Sequence, residues 1–136
     1  MQTKSALVQE IEKRINAYIS DSTEAKQSIK IAYLYGSVLH PEKFRHKSDI
    51  DLAFLLYPSL YKKDPLISSA PAYMAATEIG LMANRQTDVI ILNAASIETT
   101  YQAVTTGIVL YEADHEKRHQ TFSSKLAGEK YAPLKR

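Results

Sequence analysis

Two aspartates one residue apart, Asp49 and Asp51, stand at the head of an apolar run, Ile50–Leu56. On a strand, residues two apart share a face with Cα atoms roughly 6.5 Å apart, so both carboxylates can converge on one cation. Hard oxygen ligands of this kind suit Mg²⁺, which takes one or two protein carboxylates and fills its shell with water and substrate phosphates. The plainer alternative is a polar strand entrance. Asp is depleted in strands and like charges on one face repel, so something must neutralise the pair.

Gly36-Ser37 closes an earlier run, Ile29–Tyr35, rich in β-branched and aromatic residues. A glycine at a strand end lets a phosphate approach the backbone, and the serine opens a turn whose N–H groups and hydroxyl can hold phosphate oxygens. Alone, a Gly-Ser pair is an ordinary turn. Its weight comes from standing between two strands with the aspartate pair on the second. Asp88 precedes a third apolar run, Val89–Leu92. The three carboxylates can therefore meet at one edge of a sheet, hold two metals for phosphoryl or nucleotidyl transfer, and offer Asp88 as proton acceptor. A simple strand-edge or turn aspartate accounts equally well for Asp88 on its own.

The combination resembles the polymerase-β type of nucleotidyltransferase: Gly-Ser, a spacer, Asp-x-Asp on an apolar strand, then an Asp before another. The later stretch LNAASIETTYQAVTTGIVLYEAD is similar to the MNT group, minimal nucleotidyltransferases that act as antitoxins beside HEPN ribonuclease toxins. The resemblance spans roughly residues 29–114. It implies a small mixed sheet flanked by helices. It also implies that Gly36 and Ser37 contact a triphosphate and that Asp49 and Asp51 hold Mg²⁺ (two ions), with Asp88 completing the metal and catalytic site. The implied reaction moves AMP from ATP to a tyrosine of a HEPN-type toxin, in a hetero-oligomer with that toxin. Two departures stand out. The spacer of residues 38–48 is one longer than is usual in the family, a cheap change in a loop. The Ala-Arg-Gly that relatives carry after Gly-Ser is replaced by Leu39-His40-Pro41, which leaves Arg45, Lys47, Lys62 or Lys63 to counter the triphosphate.

The elements that must position these residues follow from periodicity. Leu7, Val8, Ile11, Ile15, Tyr18 and Ile19 draw one stripe down a helix over about 4–20. A polar linker is expected from Asp21 to Ser28, and strands at Ile29–Tyr35, Ile50–Leu56, Val89–Leu92 and Ile108–Tyr111. Pro58, Pro65 and Pro71 mark residues 57–71 as a long mobile loop, with a helix from Ala72 to about Ala83. Ser96 caps a helix that ends at Thr106 before Gly107. A charged helix and basic tail complete the chain from Asp114. The order predicts an α/β (α+β) fold, one nucleotidyltransferase domain over 1–136.

The 136 residues contain no cysteine, which excludes disulfides and thiolate metal sites. No run is long and apolar enough to span a bilayer, and the N-terminus turns charged too early for a secretory signal, so a cytoplasmic protein without a membrane partner is expected. Seventeen basic and fifteen acidic residues are interspersed, giving +2; direct nucleic-acid binding is not expected from such a spread. His115-Glu116-Lys117-Arg118-His119 matches H-E-x-x-H, but a catalytic zinc needs a third ligand and a sheltered cleft, and a helix charged all round offers neither. Of the nine tyrosines, Tyr33, Tyr35 and Tyr111 belong to strands, while Tyr57, Tyr61 and Tyr73 flank the proline-rich segment as core or partner surface. Two competing functions remain: transfer to a small hydroxylated molecule such as an aminoglycoside, and an antitoxin that neutralises by binding alone.

Overall fold

The computed structural model describes residues 4–113; the charged C-terminal segment and its H-E-x-x-H match lie outside them. Five helices and four strands are seen there: α1 (Ala6–Asp21), α2 (Thr23–Ser28), β1 (Ile29–Tyr35), β2 (Ile50–Leu56), α3 (Pro58–Lys63), α4 (Pro65–Ala83), β3 (Thr87–Ile91), α5 (Ile97–Thr106) and β4 (Ile108–Glu112). Short 3₁₀ turns follow β1 and β3.

The strands form one mixed sheet in the order β3-β2-β1-β4, with β1 antiparallel to both β2 and β4, and β3 parallel to β2. Alternation along each strand sorts side chains to two faces. Ala32, Leu34, Ile50, Leu52, Phe54 and Leu56 join Val8, Ile11, Ile15, Ile19 and the inner side of α4 in the main core. Ile31, Tyr33, Ala53 and Leu55 face the other way, packing with Leu92 and Ala103. That second face is covered only in part, by α5 and the turn before it. β2 is thus buried on both sides except at its start, which explains its nearly continuous apolar sequence.

Local signals place the helices. Ser5 accepts from the Val8 N–H at 3.2 Å to start α1, and the isoleucines at 11, 15 and 19 recur at helical spacing with no exposed surface. Burial of each contributes roughly 1.5–3 kcal/mol. The Asn16 side chain donates to the Leu110 carbonyl at 2.8 Å, tying α1 to β4. Ser96 caps α5 and Gly107 ends it, as the sequence predicts. Gly107 is wedged between backbones: a Cβ there would lie 2.6 Å from the Leu34 carbonyl oxygen.

Three expectations are corrected. Residues 57–71 are not a loop but α3 and the first part of α4. Pro58 and Pro65 each occupy the first helical position, where a missing N–H costs nothing, and Asp64 caps α4 by accepting from the Ile67 N–H at 3.0 Å. Pro71 does lie inside α4, yet it is buried beside Ala72, Ala75, Ala76 and Ile79. The packing of that face outweighs the ~3 kcal/mol that an interior proline costs. The polar linker likewise contains α2, started by Ser22, which accepts from the Ala25 N–H at 3.1 Å. With only Ala25 and Ser28 buried, T-E-A-K-Q-S offers no apolar periodicity to detect. The third strand also shifts: it is Thr87–Ile91, so Asp88 lies within it and Leu92 begins a turn.

If Asp64 organises this helical pair, Asp64→Ala should lower stability by about 1 kcal/mol. Urea denaturation checks this, with a reduced midpoint and an unchanged slope as the expected outcome.

Candidate active site

Sheet register assembles the site. Asp51, second residue of β2, is the Cα partner of Tyr35 on one side and of Asp88 on the other. Directly paired residues share a face, so Tyr35, Asp51 and Asp88 form one row across the sheet, on the incompletely covered side. Asp49 lies two residues earlier, just before the strand. Asp51 is half-buried, whereas Asp49 and Asp88 are exposed, Asp88 on the edge strand.

Gly36 turns the chain away from β1 beside this row. Its φ of 85° is in the left-handed region, and a Cβ there would collide with the Asp51 carboxylate, whose Cγ would be 3.1 Å away. Glycine is required twice over, by backbone conformation and by space. Gly36–Leu39 then make a 3₁₀ turn in which the His40 N–H donates to the Ser37 carbonyl at 2.8 Å. The Ser37 hydroxyl makes no hydrogen bond among the described residues.

The row is electrostatically loaded. Burial, then the charges of Asp88 and Asp49, push the Asp51 carboxyl up from its ordinary 3.8 to about 6. Burial, then Asp51 and Asp88, push the Tyr35 phenol up to about 12. Each shift reports burial first and the neighbouring negative charge second. Among the described residues no three His, Cys, Asp or Glu side chains form a ready-made metal cluster. Mg²⁺ does not require one: paired carboxylates on neighbouring strands, a third two residues away and room for water and phosphate supply the oxygens it takes. The donor set fits that ion by chemistry and by its repulsion.

One functional residue escaped the sequence reading. Arg85 donates through Nη1 to the carbonyls of Arg45 (2.7 Å) and Ser48 (3.0 Å), and its guanidinium lies 4.0 Å from the Phe44 ring centre. It fastens the loop that delivers Asp49. A lone arginine after a helix looks like solvent decoration, and nothing in its spacing points across 40 residues to the loop. The loop is further pinned by the Ile50 N–H donating to the Gln86 carbonyl at 3.0 Å.

Of the four basic residues named as counter-charges, Lys62 and Lys63 follow β2 on α3. The Asp51-to-Leu56 span alone is about 17 Å, which removes them to the far end of the sheet. Lys47 instead lines a cleft of about 880 Å³ together with Asp49, Arg85 and Gln86. Arg45 is in the same loop, with Nη1 donating to the Glu42 carbonyl at 2.7 Å. Gly36, Ser37, Asp51 and Asp88 do not line this cleft. The loaded carboxylate row, an open surface beside the cleft, is the better guide to chemistry because it carries the perturbed groups.

The chain matches the family model described as polymerase beta, nucleotidyltransferase over residues 17–116. No curated protein sequence matches it. Solved structures share its fold. One is a toxin–antitoxin with AMP-PNP, 22% identical with a TM-score of 0.58, covering 86% of this chain and 84% of that one. Another is the toxin–antitoxin MntA-HepT, 18% identical with a TM-score of 0.57, covering 94% and 92%. A third, 20% identical with a TM-score of 0.55 and covering 88% and 83%, is from a tri-AMPylated Shewanella oneidensis HEPN toxin in complex with MNT antitoxin.

The electrostatics set a pH dependence. A carboxyl that binds its proton more tightly when folded leaves stability intact below pH 4 and subtracts from it as pH rises from about 4 through 6. Metal-free protein should lose stability across that window, and Asp51→Asn should flatten the loss. At pH 7.5 the variant should be about 1–2 kcal/mol more stable than wild type, after discounting for the site's partial exposure. Thermal melts in chelator measure this; a variant less stable than wild type would mean that the carboxylate is a structural anchor.

Proposed function

The chain belongs to the polymerase beta nucleotidyltransferase family, and we propose that it transfers AMP from ATP to a tyrosine hydroxyl of a HEPN-type ribonuclease toxin, as the antitoxin of that pair. The observation that carries this reading is the row Asp51–Asp88 with Asp49 beside it, held against Gly36 on an open sheet face. Three neighbours in fold come from toxin–antitoxin complexes, one with AMP-PNP and one whose toxin is tri-AMPylated. We read the whole chain as one nucleotidyltransferase domain working in the cytoplasm.

In this reading the Gly36 backbone and the Ser37 hydroxyl hold triphosphate oxygens at the start of the 3₁₀ turn. Asp49, Asp51 and Asp88 would hold Mg²⁺, which when bound supplies positive charge to the triphosphate and the departing pyrophosphate. Lys47, on the cleft shared with Asp49, is the basic residue best placed to meet the phosphates where the usual arginine is missing. A tyrosine hydroxyl, with an ordinary pKa of about 10, needs a proton acceptor to attack the α-phosphorus. Asp88 is exposed on the outermost strand, where an acceptor on another molecule can reach it. AMP on the toxin adds a bulky anion beside its RNA site and repels the substrate backbone.

A small hydroxylated acceptor is the second reading, favoured by the cleft of about 880 Å³ next to Asp49. Intact mass spectrometry of the partner after incubation with this protein, ATP and Mg²⁺ separates the readings. One or more adenylate additions on tyrosine are expected, with Asp49→Ala and Asp88→Ala each reducing transfer by at least about 100-fold. Neutralisation of the toxin by those variants with no mass change would establish binding alone and refute the enzyme.

A further inference from the structure

β3 is the outermost strand of the sheet beside β2. Ile50 is the Cα partner of Thr87 and donates to the Gln86 carbonyl. Along a strand, the N–H and C=O of one residue point to the same side and successive residues alternate. The backbone groups of Asp88 and Ile90 therefore turn to β2, and those of Thr87, Val89 and Ile91 turn outward. Among the described residues no hydrogen bond meets them on that side. Proteins usually guard such an edge with lysine, proline or a covering loop. Thr87–Ile91 reads T-D-V-I-I and has neither residue.

The same strand lines a groove of about 560 Å³. Val89 and Ile91, which pack toward the α4 side of the sheet, form one wall. Leu66 and Tyr73 of α4, both exposed, form the other. An open strand edge beside an apolar groove takes up an extended peptide: main-chain bonds give affinity, and alternate side chains give selection.

We propose that β3 accepts, as an added antiparallel strand, the extended segment of the partner that carries the acceptor tyrosine. The inference rests on the transferase reading above and states how its substrate is held. Because the backbone groups of Asp88 face β2, an antiparallel residue opposite it makes the non-hydrogen-bonded kind of pair, with Cα atoms about 4.5 Å apart and side chains closest. Directly paired residues share a face, so that residue joins Tyr35, Asp51 and Asp88 as the fourth member of the row. A tyrosine there approaches the carboxylates from the side away from Gly36 and Ser37. In-line transfer requires that order. The tyrosine oxygen bonds to the α-phosphorus as the bond to pyrophosphate breaks on the opposite side, where Gly36 and Ser37 hold the leaving group, and the hydroxyl proton passes to Asp88. Residues opposite Val89 and Ile91 point to the α4 side and enter the groove, so they are apolar. Residues two away from the tyrosine return to the carboxylate face, where acids are repelled. A tyrosine inside a helix does not fit, since its backbone groups are already bonded within the helix.

The probe is the peptide Lys-Val-Thr-Val-Tyr-Val-Thr-Val-Lys, titrated into the full chain with Mg²⁺ and a non-hydrolysable ATP analogue. The Val89 and Ile91 amides should exchange rapidly in the chain alone and become protected with the peptide. Methylating the backbone nitrogens of the two valines beside tyrosine removes two bonds to β3 and should weaken binding about 10-fold. Methylating the tyrosine nitrogen, which points away from β3, should change it less than about twofold. Val89→Pro removes an N–H that the β2 ladder does not use; it should keep its circular dichroism and bind the peptide at least about 10-fold more weakly. Absence of saturation at about 5 mM peptide, equal losses from the two methylations, or amides already protected in the chain alone, as a second copy pairing at this edge would give, would each overturn the proposal. With ATP in place of the analogue, the peptide tyrosine should gain AMP. Docking without transfer would refute the transferase reading and leave the edge site standing, whereas transfer to tyrosine with the β3 amides unprotected would overturn the edge site alone.

Discussion

The register of β2 organises this molecule. Asp51 stands between Asp88 and Tyr35 because the β2 register admits no other neighbours. The same register sends Leu52, Phe54 and Leu56 into the main core. Slipping β2 by one residue would turn those three out and bury Asp51 with the helices, costing several kcal/mol of lost burial and desolvated charge. The hydrophobic pattern that folds the sheet thus fixes where the carboxylates must be. Strong packing pays for a local conflict that packing did not create.

Much of the apparatus is built to hold that conflict in place. Gly36 yields the space that the Asp51 carboxylate occupies, at a φ that other residues resist. Arg85 satisfies two loop carbonyls and covers Phe44, so the segment bringing Asp49 arrives from a braced position. They keep Asp51 and Asp88 close on an open face, with Asp49 beside them, which suits a positively charged visitor and an anionic substrate.

What the sequence made legible was whatever had a strong local signature. Strands β1 and β2 appear over the predicted residues because their apolar runs end at a glycine and begin at acids, and α5 appears between a serine cap and a glycine stop. The juxtaposition of Asp51 with Asp88 was legible only as a possibility, since pairing depends on strand order. The errors share a cause. Prolines at 58, 65 and 71 were read as breaks, but two sit where helices begin and the third is held by burial, a tertiary effect beyond any local rule. Arg85 was missed because its partners are backbone carbonyls, and those leave no mark on the residue types around them.

The misread segment is also where the two halves of the molecule divide their work. Had residues 57–71 been a loop, the sheet's inner face would need another cover, and the apolar surface at Leu66 and Ile67 would have no rigid support. As helix, the segment covers Phe54 and Leu56 from within and presents a straight apolar ridge outside. The carboxylate face must remain wet and reachable, because its task is to admit phosphates and an acceptor hydroxyl. Apart from Tyr73, Thr77 and Glu78, the exposed side of α4 is apolar. The two surfaces meet at the end of α4, where Thr77 and Leu81 line the cleft that also holds Lys47 and Asp49.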